Sequence, residues 1–200
     1  MRKIILASQS PRRKELLARM GLEFEAIPSN FDEKLDDKRT PEEVAIELAI
    51  GKASKIAEQF PDCIVIGSDT IVAIAGKQLE KPHDKAEAYK MLERLSGRHN
   101  DVTTSAVVMC KADRSLFTGS DTTRVYFKPY NAATVAAYVE TGDPLDKAGA
   151  YGIQSGAAPL IDHIEGNYDT VVGLPTHILV NLLAQVGIET KVAELELPIR

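Results

Sequence analysis

Four groups of polar residues interrupt otherwise ordinary apolar patterns in this 200-residue chain, and each could serve a ligand or catalytic site. Ser8, Ser10, Arg12 and Arg13 surround the start of a helix opened by Pro11. Backbone N–H groups lack partners at a helix N-terminus and the dipole is positive there, which makes a ready anion site. Two arginines add fork-shaped donors for phosphate oxygens. They could also be solvated first-turn residues, but cations at that end oppose the dipole and call for an offsetting anion. Lys52 is the second anomaly. At 100° per residue it shares a narrow stripe with Ala45, Ala49 and Ile56. A lysine inside an apolar face either snorkels to the edge or points into a cavity with an anionic partner.

Asp69 follows the apolar run Ile64-Val65-Ile66-Gly67, at the expected end of a buried strand. Ligands of open α/β sheets bind in such strand-end crevices. A carboxylate there can hold a metal ion or accept a proton from water, or it can simply cap a turn. The fourth group is the long loop Asp146-Lys147-Ala148-Gly149-Ala150-Tyr151-Gly152-Ile153-Gln154-Ser155-Gly156. Long loops inside compact domains are often functional, and glycines permit close approach to a ligand. Gln154 offers a paired amide donor and acceptor suited to the edge of a base. Glu33, Glu80 and Lys81 sit in or beside polar loops and say little individually. No GxxxxGK[ST] loop, no GxGxxG turn, no nucleophile elbow and no histidine triad context is present. Basic clusters combined with strand-end carboxylates fit hydrolysis or binding of a phosphorylated small molecule, with a divalent metal.

These residues need a scaffold, and the chain reads as alternating strands and helices. Lys3 to Ala7 is a buried strand, followed by a helix from Pro11 closed at Gly21. Leu22, Phe24 and Ala26 alternate as a half-buried strand. Thr40-Pro41-Glu42-Glu43 is a capping box opening a helix to about Gln59. A strand over Cys63–Gly67 ends in Ser68-Asp69-Thr70, before another over Ile71–Ala75. Asp84 starts a helix stopped by Gly97. Two strands, near Val102–Lys111 and Ser115–Phe127, form a hairpin. Asn131 caps a helix through Tyr138, and Pro159–Ile164 and Pro175–Val186 read as a last strand and helix. The intruding hairpin predicts a mixed rather than purely parallel sheet.

Composition excludes more than it selects. There are 24 Lys+Arg against 29 Asp+Glu, a net charge of −5 that disfavours duplex nucleic-acid binding. No stretch approaches the roughly 20 apolar residues of a membrane span, and the apolar run near the N-terminus is too short for a secretory signal. Cys63 and Cys110 read as two buried free thiols in a reduced, cytoplasmic protein. One domain over residues 1–190 with a peripheral tail at 191–200 is expected.

Ser8-Gln9-Ser10-Pro11-Arg12-Arg13-Lys14-Glu15-Leu16-Leu17 resembles the N-terminal signature of the Maf family of nucleotide pyrophosphatases. Further blocks resemble the family in its order: Asp32-Glu33, Lys52-Ala53, Ser68-Asp69-Thr70, Glu80-Lys81-Pro82, Leu95-Ser96-Gly97, the loop from Asp146 to Gln154, and Val172-Gly173-Leu174-Pro175. The resemblance spans about residues 3–187. It implies an α/β fold with an elongated, twisted mixed sheet flanked by helices, shared with inosine triphosphate pyrophosphatases, and two lobes with a cleft. It also implies a homodimer that cleaves a nucleoside triphosphate to the monophosphate and pyrophosphate.

By position, the resemblance implies that Asp69 accepts the proton of the attacking water. Glu33 and Asp69 would hold Mg²⁺ or Mn²⁺, and Arg13, Lys52 and Lys81 would grip the triphosphate beside Ser8. Arg12, Thr70 and Gln154 resemble the branch acting on dTTP and UTP. The branch preferring 7-methyl-GTP has an aromatic residue in place of Arg12 and a glutamate in place of Gln154, which suits a cationic base. A non-catalytic nucleotide-binding regulator of septum formation is the alternative from another class. Gln9, the turn at Arg98-His99-Asn100-Asp101, and Asp169 depart from the usual family pattern.

Overall fold

The computed structural model describes residues 2–32 and 38–190. Among the described residues, seven strands form one mixed sheet: β1 (Ile4–Leu6), β2 (Glu25–Ala26), β3 (Ile64–Ile74), β4 (Lys77–Leu79), β5 (His99–Cys110), β6 (Ser115–Phe127) and β7 (Ile161–Glu165). Their order is β2-β1-β3-β5-β6-β7, with β4 also paired to β3. The β1–β2 and β1–β3 pairs are parallel and the others antiparallel. Six helices among the same residues flank the sheet: α1 (Pro11–Arg19), α2 (Pro41–Ala57), α3 (Lys85–Leu95), α4 (Ala132–Glu140), α5 (Tyr168–Val172) and α6 (Thr176–Ala184). The mixed α/β architecture is the one expected.

Period-2 alternation along β1, β3 and β5 divides the core in two. Ile5, Val65 and Val107 pack with Ala49, Ala53 and Ile56 of α2 on one face. Ile4, Leu6, Ile64, Ile66, Ala106 and Val108 join residues of α1, α3, α4 and α6 in the larger core on the other. Helix α2 begins as its sequence requires. Thr40 Oγ1 accepts from Glu43 N, and the Glu43 carboxylate accepts from Thr40 N, completing the capping box. Ser10 caps α1 by accepting from Arg13 N, and Asp84 and Asn131 cap α3 and α4.

The main departure from the sequence reading lies in β3. Ser68, Asp69 and Thr70 do not end a strand but continue it, because β5 pairs with every residue from Val65 to Ala73. On the opposite edge, β1 pairs only as far as Ile66, and the pairing with β4 starts only at Val72. Among the described strands none covers β3 there between Gly67 and Ile71. The crevice expected beyond a strand end is thus made by the end of β1. Strand β4 and helix α5 were not anticipated, and the predicted Leu22–Ala26 strand shortens to two residues. Cys63 lies just ahead of β3 and is only half-buried, whereas Cys110 is buried.

Gly67 sets how closely α2 lies on β3. A Cβ at this position would strike the carbonyl oxygen of Ala49 and come within 2.9 Å of Ala53 Cβ. Gly67→Ala is therefore expected to destabilise the protein by about 1–3 kcal/mol, the usual cost of overpacking a rigid contact. Urea denaturation measures this directly. The same displacement shifts Lys52 and should depress any activity that uses it.

Candidate active site

The uncovered edge of β3 opens into a cavity of about 450 Å³. Because none of the described strands closes this edge, side chains from both faces of the sheet reach the same space. Asp69 points to the α2 face along with Val65, Gly67 and Ile71, whereas Thr70 points to the face that carries α1 and α5. The cavity wall includes Arg12, Arg13, Lys52, Asp69, Thr70, Lys81 and Gln154. Seven of the residues singled out in the sequence, scattered over more than 140 positions, are thus brought together.

Lys52 is not a snorkelling lysine. It is 7% exposed, Asp69 is 5% exposed, and Lys52 Nζ pairs with Asp69 Oδ1. The pairing follows from two periodicities, since the apolar stripe of α2 delivers Lys52 to the face of β3 on which Asp69 stands. Ala49, Ala53 and Gly67 are small, so the helix approaches closely enough for contact. Ser105, directly opposite Asp69 on β5, donates to Ala45 O at 2.7 Å and ties the helix to the sheet.

Arg13 enters from the other face. Its Nε donates to Gly173 O at 2.7 Å and one terminal nitrogen donates to Thr70 Oγ1 at 3.2 Å. Ser68 Oγ also donates to Gly173 O, at 3.0 Å. Thr104 Oγ1, which donates to Thr170 O at 2.6 Å, lies 3.0 Å from Thr70 Oγ1. The α5 turn thus fixes the guanidinium. Asp169 stabilises that turn: its carbonyl accepts from Gly173 N and Leu174 N, and its carboxylate accepts from Thr176 Oγ1. Burial raises the Asp169 pKa above the ordinary aspartate value, although the Thr176 hydrogen bond works in the opposite direction.

Ser8 is placed differently from the other candidates. It is buried, and its Oγ accepts from Ser10 N at 3.2 Å and from Arg13 at 3.5 Å. It is not among the residues on the cavity wall and supports Arg13 from behind. Lys81, exposed just after β4, lies on the wall between this cavity and an adjoining space of about 330 Å³ lined by Glu80 and His83. Glu33, expected to share a metal with Asp69, lies outside the described residues.

The far wall is the segment from Gly142 to Leu160, where three short 3-10 turns replace the expected irregular loop. Its contacts were not foreseen. Lys147 is 8% exposed, and its ammonium donates to Asp143 O, Asp143 Oδ1 and Asp146 Oδ1 at 2.7–2.9 Å. Only the i,i+4 spacing of Asp143 and Lys147 hinted at the pair, and that spacing is too common to single out. Gly149 N donates to Glu80 O at 3.1 Å and joins this wall to the end of β4.

The cavity wall is therefore mixed in charge but net basic. Arg12, Arg13, Lys52, Lys81 and Lys147 share it with Asp69, Asp143 and Asp146, the protons of Lys147 are spent on its own loop, and Gln154 adds a neutral amide. Such a site can take a polyanion together with a neutral polar group. Among the described residues, no helix is long and apolar enough to cross a membrane.

Comparison with known proteins agrees over nearly the whole length. The family model described as Maf-like protein matches residues 3–186. A dTTP/UTP pyrophosphatase of Symbiobacterium thermophilum is 46% identical over 187 residues, covering 94% of this chain and 95% of that protein. The proteins of the same name from Geotalea uraniireducens and Bacillus velezensis are 45% and 44% identical, covering 92% and 94% of this chain and 95% and 98% of their own lengths. Matched over residues 3–186 by the family model and over more than nine-tenths of its length by relatives at 44–46% identity, the chain belongs to the Maf family.

Proposed function

We propose that the protein hydrolyses dTTP and UTP, and modified pyrimidine triphosphates of the same shape, to the monophosphate and pyrophosphate. The observation that carries this reading is the buried Lys52–Asp69 pair on the wall of a cavity that also carries Arg12, Arg13, Lys81 and Gln154. The names of the relatives point to the same substrates. Lys52, Lys81 and Arg13 bind the triphosphate, and Arg12 extends the cationic rim. Asp69 takes a proton from a water aimed at the α-phosphorus. The new P–O bond forms as the bond to the bridging oxygen breaks, and pyrophosphate leaves with the electron pair. Negative charge grows on the leaving group and on the α-phosphoryl oxygens, where fixed cations stabilise the transition state more than the ground state.

A divalent cation, Mg²⁺ or Mn²⁺, fits this donor set. Mg²⁺ is commonly held by one or two carboxylates together with substrate phosphates. Asp69 supplies one carboxylate, and Glu33 is assigned as the second from the family resemblance. When bound, the cation neutralises phosphate charge. The family resemblance extends the proposal to a homodimer in the cytoplasm.

A panel of ordinary and modified triphosphates, assayed for pyrophosphate release with Mg²⁺ or Mn²⁺, tests the assignment. dTTP and UTP are the expected best substrates. Turnover of 7-methyl-GTP equal to or better than that of dTTP would contradict it. Gln154→Glu replaces an amide donor with a second acceptor and is expected to lower kcat/KM for dTTP roughly tenfold to a hundredfold. The same change should improve the relative standing of 7-methyl-GTP, whose base is cationic.

A further inference from the structure

The segment bearing Gln154 is cross-linked through one half-buried carboxylate. Asp143 Oδ2 accepts from Tyr138 Oη at 2.5 Å and from Ser155 Oγ at 2.6 Å, while Oδ1 accepts from Lys147 Nζ at 2.9 Å. Tyr138, at the end of α4, also accepts from Gly152 N at 3.3 Å. Lys147 runs beneath Gly152, where a Cβ would lie 2.6 Å from Lys147 Cε and 2.5 Å from Ser155 Oγ. The anchored positions 152 and 155 therefore bracket Ile153, which is buried, and Gln154, which is exposed to the cavity. Desolvation pushes the Asp143 pKa up, but hydrogen bonds from Ser155, Tyr138 and Lys147 together outweigh it and hold the carboxyl below its usual value.

None of these groups is arranged to bind phosphate. All three ammonium protons of Lys147 find acceptors within the segment, and Asp143 and Asp146 would repel a polyanion. What the network does is fix a wall. A backbone pinned on both sides of Gln154 sets the amide's position and the width of the cavity in front of it. A wall free to move could retreat before a larger base.

We infer that Asp143, with Tyr138 and Ser155, is a positioning centre for base selection, holding Gln154 so that a pyrimidine is accepted and a purine is refused. The inference rests on the hydrolytic reading above and assigns its selectivity to residues that touch no phosphate.

The test uses Tyr138→Phe, which keeps the ring packed against Gly156 but removes the hydroxyl, and Asp143→Asn, which keeps the shape but removes the charge. Initial rates are measured with dTTP, UTP, dATP and GTP, with inorganic tripolyphosphate as a competitive inhibitor that has no base. Each variant is expected to raise the KM for dTTP and to lower the dTTP-over-dATP ratio of kcat/KM by about tenfold, with kcat within about twofold. The tripolyphosphate inhibition constant should not move. If Asp143→Asn fails to fold by circular dichroism, Tyr138→Phe alone decides. An unchanged ratio in the folded variants, or a matching loss of tripolyphosphate affinity, overturns the positioning role. A parent protein that does not prefer pyrimidines overturns the substrate assignment and this inference with it, whereas selectivity present in the parent and unaltered in the variants overturns the inference alone.

Discussion

Asp69→Asn is expected to reduce dTTP turnover by about 10²- to 10⁴-fold, the range that a positioned general base contributes. The loss should appear in kcat more than in KM, because the cations that hold the triphosphate are untouched. Asparagine retains the shape of the side chain within β3, where Asp69 is flanked by paired residues on both sides. The far-ultraviolet circular dichroism should therefore match the parent, and the loss should persist at saturating dTTP. Activity within threefold of the parent would remove Asp69 from the chemistry.

Lys52→Met should have the second largest effect, a fall in kcat of about 10²- to 10³-fold, comparable to the removal of one preorganised donor from a developing anion. Methionine fills the channel beside Ala49 and Ala53 but supplies no charge. Lys52→Arg should restore little. The guanidinium is broader than an ammonium and would have to fit where small residues let α2 lie directly on β3. Because Lys52 and Asp69 are in contact, the double variant should lose far less than the product of the two single losses. Steady-state kinetics of the four proteins measure this coupling. Strict multiplicativity would mean that the two side chains act independently.

Lys52 was legible in the sequence because it violates a local rule: a charge in the middle of an apolar helical stripe needs a partner. Asp69 was legible as a carboxylate after a run of Ile and Val, and the Maf motifs singled out the same two residues. The continuity of β3 through Ser68-Asp69-Thr70 was not legible. Polar residues there look like a turn, and only the long pairing with β5 overrides that local preference. Strand β4 was missed because Lys77-Gln78-Leu79 has too few apolar residues to show a period, and its existence depends on the hairpin with Val72–Ile74. Contacts set by tertiary folding account for the rest. The grip of Gly173 on Arg13 spans 160 residues, and the ties of Tyr138 and Ser155 to Asp143 depend on how the chain folds back between them. No spacing rule indicates such contacts. The small-residue composition of the loop signalled that a ligand could approach, but not that an ion-paired lysine stiffens it.

The lining of the cavity also shows why overall charge is a poor guide to this protein. A net charge of −5 coexists with a wall on which Arg12, Arg13, Lys52, Lys81 and Lys147 outnumber Asp69, Asp143 and Asp146. A duplex would meet an acidic surface, whereas a single triphosphate meets a basic pocket.

The central claim is that water attacks the α-phosphorus under the control of Asp69 and Lys52. Hydrolysis of dTTP in ¹⁸O-labelled water, with products resolved by mass spectrometry, tests it most directly. One labelled oxygen in dTMP and none in pyrophosphate is the expected result. Label in pyrophosphate, or release of orthophosphate in its place, would contradict the account.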